Sequence, residues 1–88
     1  KSLMQSLAID FAQYGVTANA IAPGHVTTAM TEALLQKEKV ANAVIPRIPA
    51  GRFGTKEDFE GIAVYLMSDA SRYHTGDIFI IDGGLMVY

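Results

Sequence analysis

The chain has 88 residues, half of them hydrophobic and 18% charged, and a formal net charge of −2. With no cysteine and only two histidines, it is not built around disulfides, a thiolate metal site or an all-protein zinc site, and a reducing, cytoplasmic setting is expected. The apolar content excludes a disordered tail, the interspersed charges give no nucleic-acid footprint, and the apolar runs are far shorter than a membrane span.

A chain of this length is one small domain at most and buries only about 63% of its unfolded surface. Leu3, Leu7 and Phe11 recur at helical spacing, with Met4, Ala8 and Ala12 beside them. This predicts an amphipathic helix with that stripe as its core face, broad enough for a second contact. No cap residue, initiator Met or signal peptide precedes it, so a helix entered mid-stride suggests an N-terminal part before it. Gly15 suits the left-handed position that ends a helix. Val16–Ala22 reads as a short strand covered on both faces, ended by Pro23-Gly24.

His25 to Thr31 is a polar loop, and Thr31 to Val44 is a second helix stopped by Pro46 and Pro49. Arg47 to Gly54 reads as a loop, in which Arg52 is expected to pair with an acid for stability. Thr55 is the N-cap candidate of a third helix, running to about Met67, with Phe59, Ile62, Ala63, Leu66 and Met67 facing inward. Glu57, Asp58 and Glu60 read as first-turn acids on a solvated face. Asn19 reads as a buried amide satisfying backbone groups, and His74 as a surface turn residue. Ile78–Ile81 is a continuous apolar strand broken by Asp82-Gly83-Gly84, and Leu85–Tyr88 is an apolar tail expected to pack on a neighbouring subunit or beside the substrate cleft. The order helix, strand, helix, helix, strand joins two parallel strands by a helical crossover. Two such apolar strands leave an open edge, so a larger parallel sheet is expected around them.

Asn19-Ala20-Ile21-Ala22-Pro23-Gly24-His25-Val26-Thr27-Thr28 closely resembles the N-x-I-x-P-G-x-[IV]-x-T stretch of the short-chain dehydrogenases/reductases. Ser6-Leu7-Ala8 with Tyr14-Gly15-Val16-Thr17, Ile48 to Gly54 with Lys56-Glu57-Asp58, Leu66 to Ser71, and Thr75-Gly76-Asp77 with Asp82-Gly83-Gly84 follow the same family's order and spacing. The resemblance implies an α/β fold, the C-terminal part of a Rossmann-like doubly wound parallel sheet, incomplete as given. Residues 1–88 are then the C-terminal portion of a single Rossmann-type domain. The family's Gly-rich turn, catalytic Ser and Tyr-x-x-x-Lys pair have no counterpart here, since Tyr14, Tyr65 and Tyr73 are followed four residues on by Ala18, Asp69 and Asp77. The family's lysine would fall just before Lys1, so no residue of this chain inherits a catalytic role, and none a metal-binding one.

By the same resemblance, Pro23, Gly24, Val26 and Thr28 are expected on the side of an NAD or NADP nicotinamide. Gly24 would allow close approach of the ring, Val26 would bond the carboxamide through its backbone, and Thr28 would add a hydroxyl. His25, Ala29, Met30 and Leu34 are expected on the side of a small-molecule substrate, under a lid spanning Thr31 to Pro46. The implied parent is an NAD(P)-dependent enzyme interconverting an alcohol and a ketone, on a sugar acid or polyol, as a homo-oligomer, a tetramer by the same resemblance. The alternative is a truncated remnant or assembly module without activity of its own.

Overall fold

The structure, a computed structural model, describes residues 2–87. Its elements are α1 (Leu3–Phe11), β1 (Ala20–Pro23), α2 (Ala29–Leu35), α3 (Glu38–Val44), α4 (Glu60–Leu66) and β2 (Ile78–Ile81). Single 3-10 turns lie at Ala12–Tyr14, Ile45–Arg47, Lys56–Phe59, Asp69–Ser71 and Leu85–Val87. The fold is α/β, with β1 and β2 as neighbours in a small parallel sheet. The described residues form two compact units, 2–22 with 60–79 and 23–59 with 80–87.

In the first unit, α1 begins with a cap that the sequence reading missed. The Ser2 hydroxyl accepts the Gln5 N–H at 3.3 Å, and the Gln5 side chain accepts the Ser2 N–H at 3.4 Å. These reciprocal bonds satisfy two donors at the helix start. The helix tightens at Ala12–Tyr14 and ends at Gly15, whose φ of 73° is the expected left-handed stop. The predicted core stripe is not buried: Leu3 is 77%, Leu7 39% and Phe11 43% exposed, while Ala8 is 4%. The helix meets the Thr75-Gly76 turn through Ala8, because two residues with little or no side chain allow close approach. The described residues cover Leu7 and Phe11 only in part, Phe11 by the Tyr14 ring at 6.2 Å, and leave Leu3 largely open.

The expected strand from Val16 shortens to Ala20–Pro23. Ahead of it, Ala18 pairs instead with the 75–76 turn, its N–H donating to the Thr75 hydroxyl at 3.0 Å and its carbonyl accepting from Gly76 N–H at 2.8 Å. Asn19 satisfies backbone groups as expected, though it is half-buried rather than buried. Its amide donates to the His74 carbonyl at 2.9 Å and accepts the Asp77 N–H at 3.0 Å. Ala20 N–H then donates to the Asp77 carbonyl at 2.9 Å, which sets the register of β1 on β2. On α4, Ile62, Ala63 and Leu66 are half-buried as predicted, but Met67 is 82% exposed because the helix ends one residue before it. The buried Ser71 hydroxyl lies 3.2 Å from the Leu66 carbonyl and 3.1 Å from that of Ser68, satisfying the helix end.

In the second unit, Gly24 N–H donates to the Ile81 carbonyl at 3.2 Å. The helix expected over Thr31–Val44 is two helices. α2 starts earlier, at Ala29, and Lys37 is extended at φ −80°, ψ 110° before α3. The polar Gln36-Lys37-Glu38-Lys39 run has no apolar side chain to hold it in one helix. Splitting there lets Leu35 on one side and Val40, Ala41 and Val44 on the other become half-buried. Ile48 and Phe53, at 4% and 8% exposed, are the buried side chains of this unit.

β2 occupies the predicted Ile78–Ile81. Its side chains alternate between faces. Ile78 and Ile80 are exposed, as is Ile21 on β1, so the cover expected on both faces is not supplied by residues 2–87.

Candidate functional site

The chain leaving β1 is shaped by three backbone facts. Gly24 sits against Asp82: a Cβ built on it would lie 2.7 Å from the Asp82 Cβ and 2.9 Å from its Cα. The glycine is therefore required by Asp82 itself. Val26 then pairs in parallel with Gly54. Thr27 N–H donates to the Gly54 carbonyl at 2.7 Å, and Gly54 N–H donates to the His25 carbonyl at 2.8 Å. In a parallel bridge of this pattern the N–H and C=O of Val26 point away from Gly54. The Val26 carbonyl accepts the Thr31 hydroxyl at 3.0 Å. The Val26 N–H has no hydrogen-bond partner among the described residues. Pro23 is exposed at the end of the strand.

Thr28 has a local task that the sequence reading did not give it. It caps α2, its hydroxyl accepting the Thr31 N–H at 3.2 Å while Thr31 Oγ1 accepts the Thr28 N–H at 2.6 Å. The first residues of α2 that were expected on the substrate side, Ala29 and Met30, are exposed, Met30 at 76%, and Leu34 is 42% exposed. His25 is exposed too, yet its ring is not loose. It stacks on buried Phe53 with centroids 5.1 Å apart and planes 20° from parallel.

Arg52 has the acidic partner the sequence predicted. Its guanidinium donates to both Asp58 oxygens at 2.8 and 2.9 Å and to the Phe53 carbonyl at 3.1 Å. Asp58 is therefore not a merely solvated acid. It also accepts the Thr55 N–H at 2.8 Å, and it lies 3.3 Å from the Thr55 hydroxyl. Thr55 thus gives its protons to Asp58, where a side-chain N-cap had been expected. Arg52, first, and the Thr55 N–H hold the Asp58 carboxyl well below the usual carboxylate range. Asp82 closes its own turn, accepting the Gly84 and Met86 N–H groups, each at 2.9 Å. Asp58 and Asp82 border a cavity of about 230 Å³ that His25 also lines, and both carboxylates are already hydrogen-bonded.

The first unit holds a polar row that the sequence reading missed. The Tyr65 hydroxyl lies 2.8 Å from His74 Nδ1, and His74 Nε2 lies 2.7 Å from Asp77 Oδ2. His74 is half-buried against Phe79, so it is not the surface turn residue expected. The His74 contact, and then the Ile78 N–H, lower the Asp77 pKa. The only sequence signal was the His74-x-x-Asp77 spacing, and it says nothing about Tyr65. Among the described residues, no group of acids and histidines is arranged to hold a metal ion.

Parallel neighbouring strands joined through helices, with a Pro-Gly loop at the carboxyl end of the first, are the layout of a doubly wound nucleotide-binding protein. Residues 1–86 match the family described as Enoyl-(Acyl carrier protein) reductase. The chain belongs to this family of short-chain dehydrogenases/reductases, and it is similar to members of the gluconate 5-dehydrogenase and 2-dehydro-3-deoxygluconate dehydrogenase type. It is 45% identical over 84 residues to a 2-dehydro-3-deoxy-D-gluconate 5-dehydrogenase of Pseudoalteromonas atlantica, covering 96% of this chain and 33% of that one. It is 43% identical over 86 residues to an L-rhamnose-1-dehydrogenase of Scheffersomyces stipitis, covering 98% and 33%. A solved gluconate 5-dehydrogenase from Burkholderia cenocepacia, in complex with NADP and tartrate, superposes with a TM-score of 0.87 at 35% identity, covering 98% of this chain and 34% of that one. The chain spans about a third of the length of the curated relatives it matches.

Proposed function

We propose that this chain is part of an NADP-dependent oxidoreductase that interconverts an alcohol and a ketone on a sugar acid or polyol. In this reading it contributes the nicotinamide side of the site, the α2–α3 lid and the oligomer contacts. The observation that carries the reading is the main chain of Val26. A nicotinamide carboxamide presents one acceptor and two donors. Val26 presents an unpartnered N–H and a carbonyl that has given one lone pair to Thr31 and keeps the other. That donor set fits the carboxamide, and a strand's carboxyl end is where such a ring is held in doubly wound folds. The solved relative in complex with NADP supports NADP as a cofactor.

When bound, the cofactor supplies or accepts the hydride. The residues of this chain bind and orient. Pro23 and Gly24 bring the backbone to the strand end, and Thr28 places its hydroxyl there while it caps α2. Ala29, Met30 and Leu34 offer an apolar lid surface that excludes water over the substrate. The exposed Leu3, Leu7 and Phe11 on α1 support burial against another copy in a homo-oligomer, a tetramer in this reading. No helix among the described residues is long and apolar enough to cross a membrane.

The test offers the enzyme carrying this chain NADP together with a panel of aldonic acids and polyols. NADPH is expected to form with at least one of them. No NADPH with any, together with no NADP binding by calorimetry, refutes the reading. That outcome leaves the non-catalytic remnant or assembly module.

A further inference from the structure

The two arginines of the Arg47-to-Gly54 loop are in opposite states. Arg52 is consumed by Asp58 and the Phe53 carbonyl. Arg47 has no ion-pair partner among the described residues. It closes the 3-10 turn Ile45–Arg47, whose backbone is fixed by Pro46 and by the Ile48 N–H donating to the Ile45 carbonyl at 3.0 Å. The Arg47 side chain lines a cavity of about 490 Å³ together with His25, Ala43, Val44 and Leu85. That volume falls within the roughly 300–1,000 Å³ range of small-molecule sites.

The lining has a definite chemistry. Three side chains are aliphatic, one is a permanent cation, one is an imidazole, and none is an acid. The His25 ring is held by its stack on Phe53, so it presents a fixed edge. Two acids, Asp58 and Asp82, line a smaller cavity that His25 also lines, and they are satisfied by Arg52, Thr55, Gly84 and Met86. They are not waiting for Arg47. An unpaired guanidinium beside an imidazole over an apolar floor suits a ligand that carries a carboxylate on a hydroxylated carbon chain. Arg meets the two carboxylate oxygens as a fork, His bonds a carboxylate or neighbouring hydroxyl oxygen, and the aliphatic residues take the C–H side.

We infer that Arg47, with His25, reads the carboxylate of a sugar-acid substrate and so decides between acids and neutral sugars. This rests on the oxidoreductase reading above and sharpens it. The relatives leave the choice open, since one is named for a gluconate derivative and another for rhamnose, and the solved one holds tartrate.

The experiment compares wild type, Arg47→Gln and Arg47→Lys in the enzyme that carries this chain. Each is measured with NADP on gluconate, on 2-dehydro-3-deoxygluconate and on L-rhamnose, and each is titrated with tartrate by calorimetry. A charge-assisted hydrogen bond of ordinary strength corresponds to a change of roughly 10- to 100-fold in affinity. Arg47→Gln is expected to lower the acid-over-rhamnose preference by that factor through KM and to weaken tartrate by a similar one. Arg47→Lys, which keeps the charge and loses the fork, is expected to recover part of both. Raising the salt concentration should weaken tartrate binding to wild type more than to Arg47→Gln.

An unchanged preference in Arg47→Gln, or equal losses on acid and neutral sugar, overturns the inference. A wild type that oxidises rhamnose but no acid also overturns it, and leaves the oxidoreductase reading standing. A wild type inert on every sugar removes both. Arg47 is exposed, and an unchanged melting temperature separates lost recognition from lost fold.

Discussion

Replacing Gly24 by alanine puts a methyl group where the backbone of Asp82 already stands. The new Cβ lies 2.7 Å from the Asp82 Cβ, 2.9 Å from its Cα and 3.2 Å from its carbonyl oxygen. Carbon atoms pack best at about 3.5–4.0 Å, so the overlap is on the order of 1 Å. Two of the three clashing atoms belong to the main chain, so no side-chain rotation relieves them. Asp82 cannot withdraw freely either, because its carboxylate holds the Gly84 and Met86 N–H groups at 2.9 Å each.

Overpacking of this kind costs about 1–3 kcal/mol. Straining the Gly24–Ile81 hydrogen bond adds about 1 kcal/mol. The expected loss for Gly24→Ala is therefore roughly 2–4 kcal/mol, read as a fall of about 1–2 M in the urea midpoint at an m-value near 2 kcal/mol/M. Gly61→Ala is the control. Gly61 lies in α4 without a positive φ, and nothing stands within 4 Å of its added Cβ. That variant should gain about 0.4–1 kcal/mol. A Gly24→Ala midpoint within about 0.5 kcal/mol of wild type would refute the steric argument, and the glycine would then need another reason, such as approach of the nicotinamide.

The remaining predictions concern hydrogen bonds. Asp58, whose folded pKa is lowered, contributes stability that is fully present above the ordinary carboxylate range near pH 4. That contribution is lost as the pH falls through the folded value, so Asp58→Asn should flatten the acid side of a plot of melting temperature against pH from 7 to 3. An unchanged slope counts against the pair. Asn19→Ala leaves the His74 carbonyl and the Asp77 N–H without their partner. It should cost roughly 1–3 kcal/mol and speed hydrogen exchange at the Asp77 amide. Thr28→Ala should lose about 1 kcal/mol as α2 loses its cap. Thr28→Asn restores a cap without the hydroxyl and without a new charge, so NADP affinity that stays low in Thr28→Asn, while α2 stability returns, assigns the hydroxyl to the cofactor. Full recovery of NADP affinity in that variant removes Thr28 from the cofactor side.

Several features were legible in the sequence because they are decided within a few residues. Ile78–Ile81 is a strand because four consecutive apolar residues lie between Asp77 and Asp82. Gly15 stops α1 because it tolerates a φ of 73°. Arg52 finds Asp58 six residues on, and the Pro-Gly end of β1 follows from composition alone.

What the tertiary structure decided depends on partners far along the chain or on competition between local options. Asn19 was readable as a satisfied amide, but its partners His74 and Asp77 lie 55 and 58 residues away. No periodicity forecasts that Tyr65, His74 and Asp77 form one row, because their contacts arise only when the Asp69–Ser71 turn folds the chain back after α4. The Leu3–Leu7–Phe11 stripe predicted a buried face, yet these side chains are exposed among residues 2–87 and Ala8 makes the close contact. Hydrophobic spacing tells which side of a helix avoids water, and only packing tells what comes to cover it.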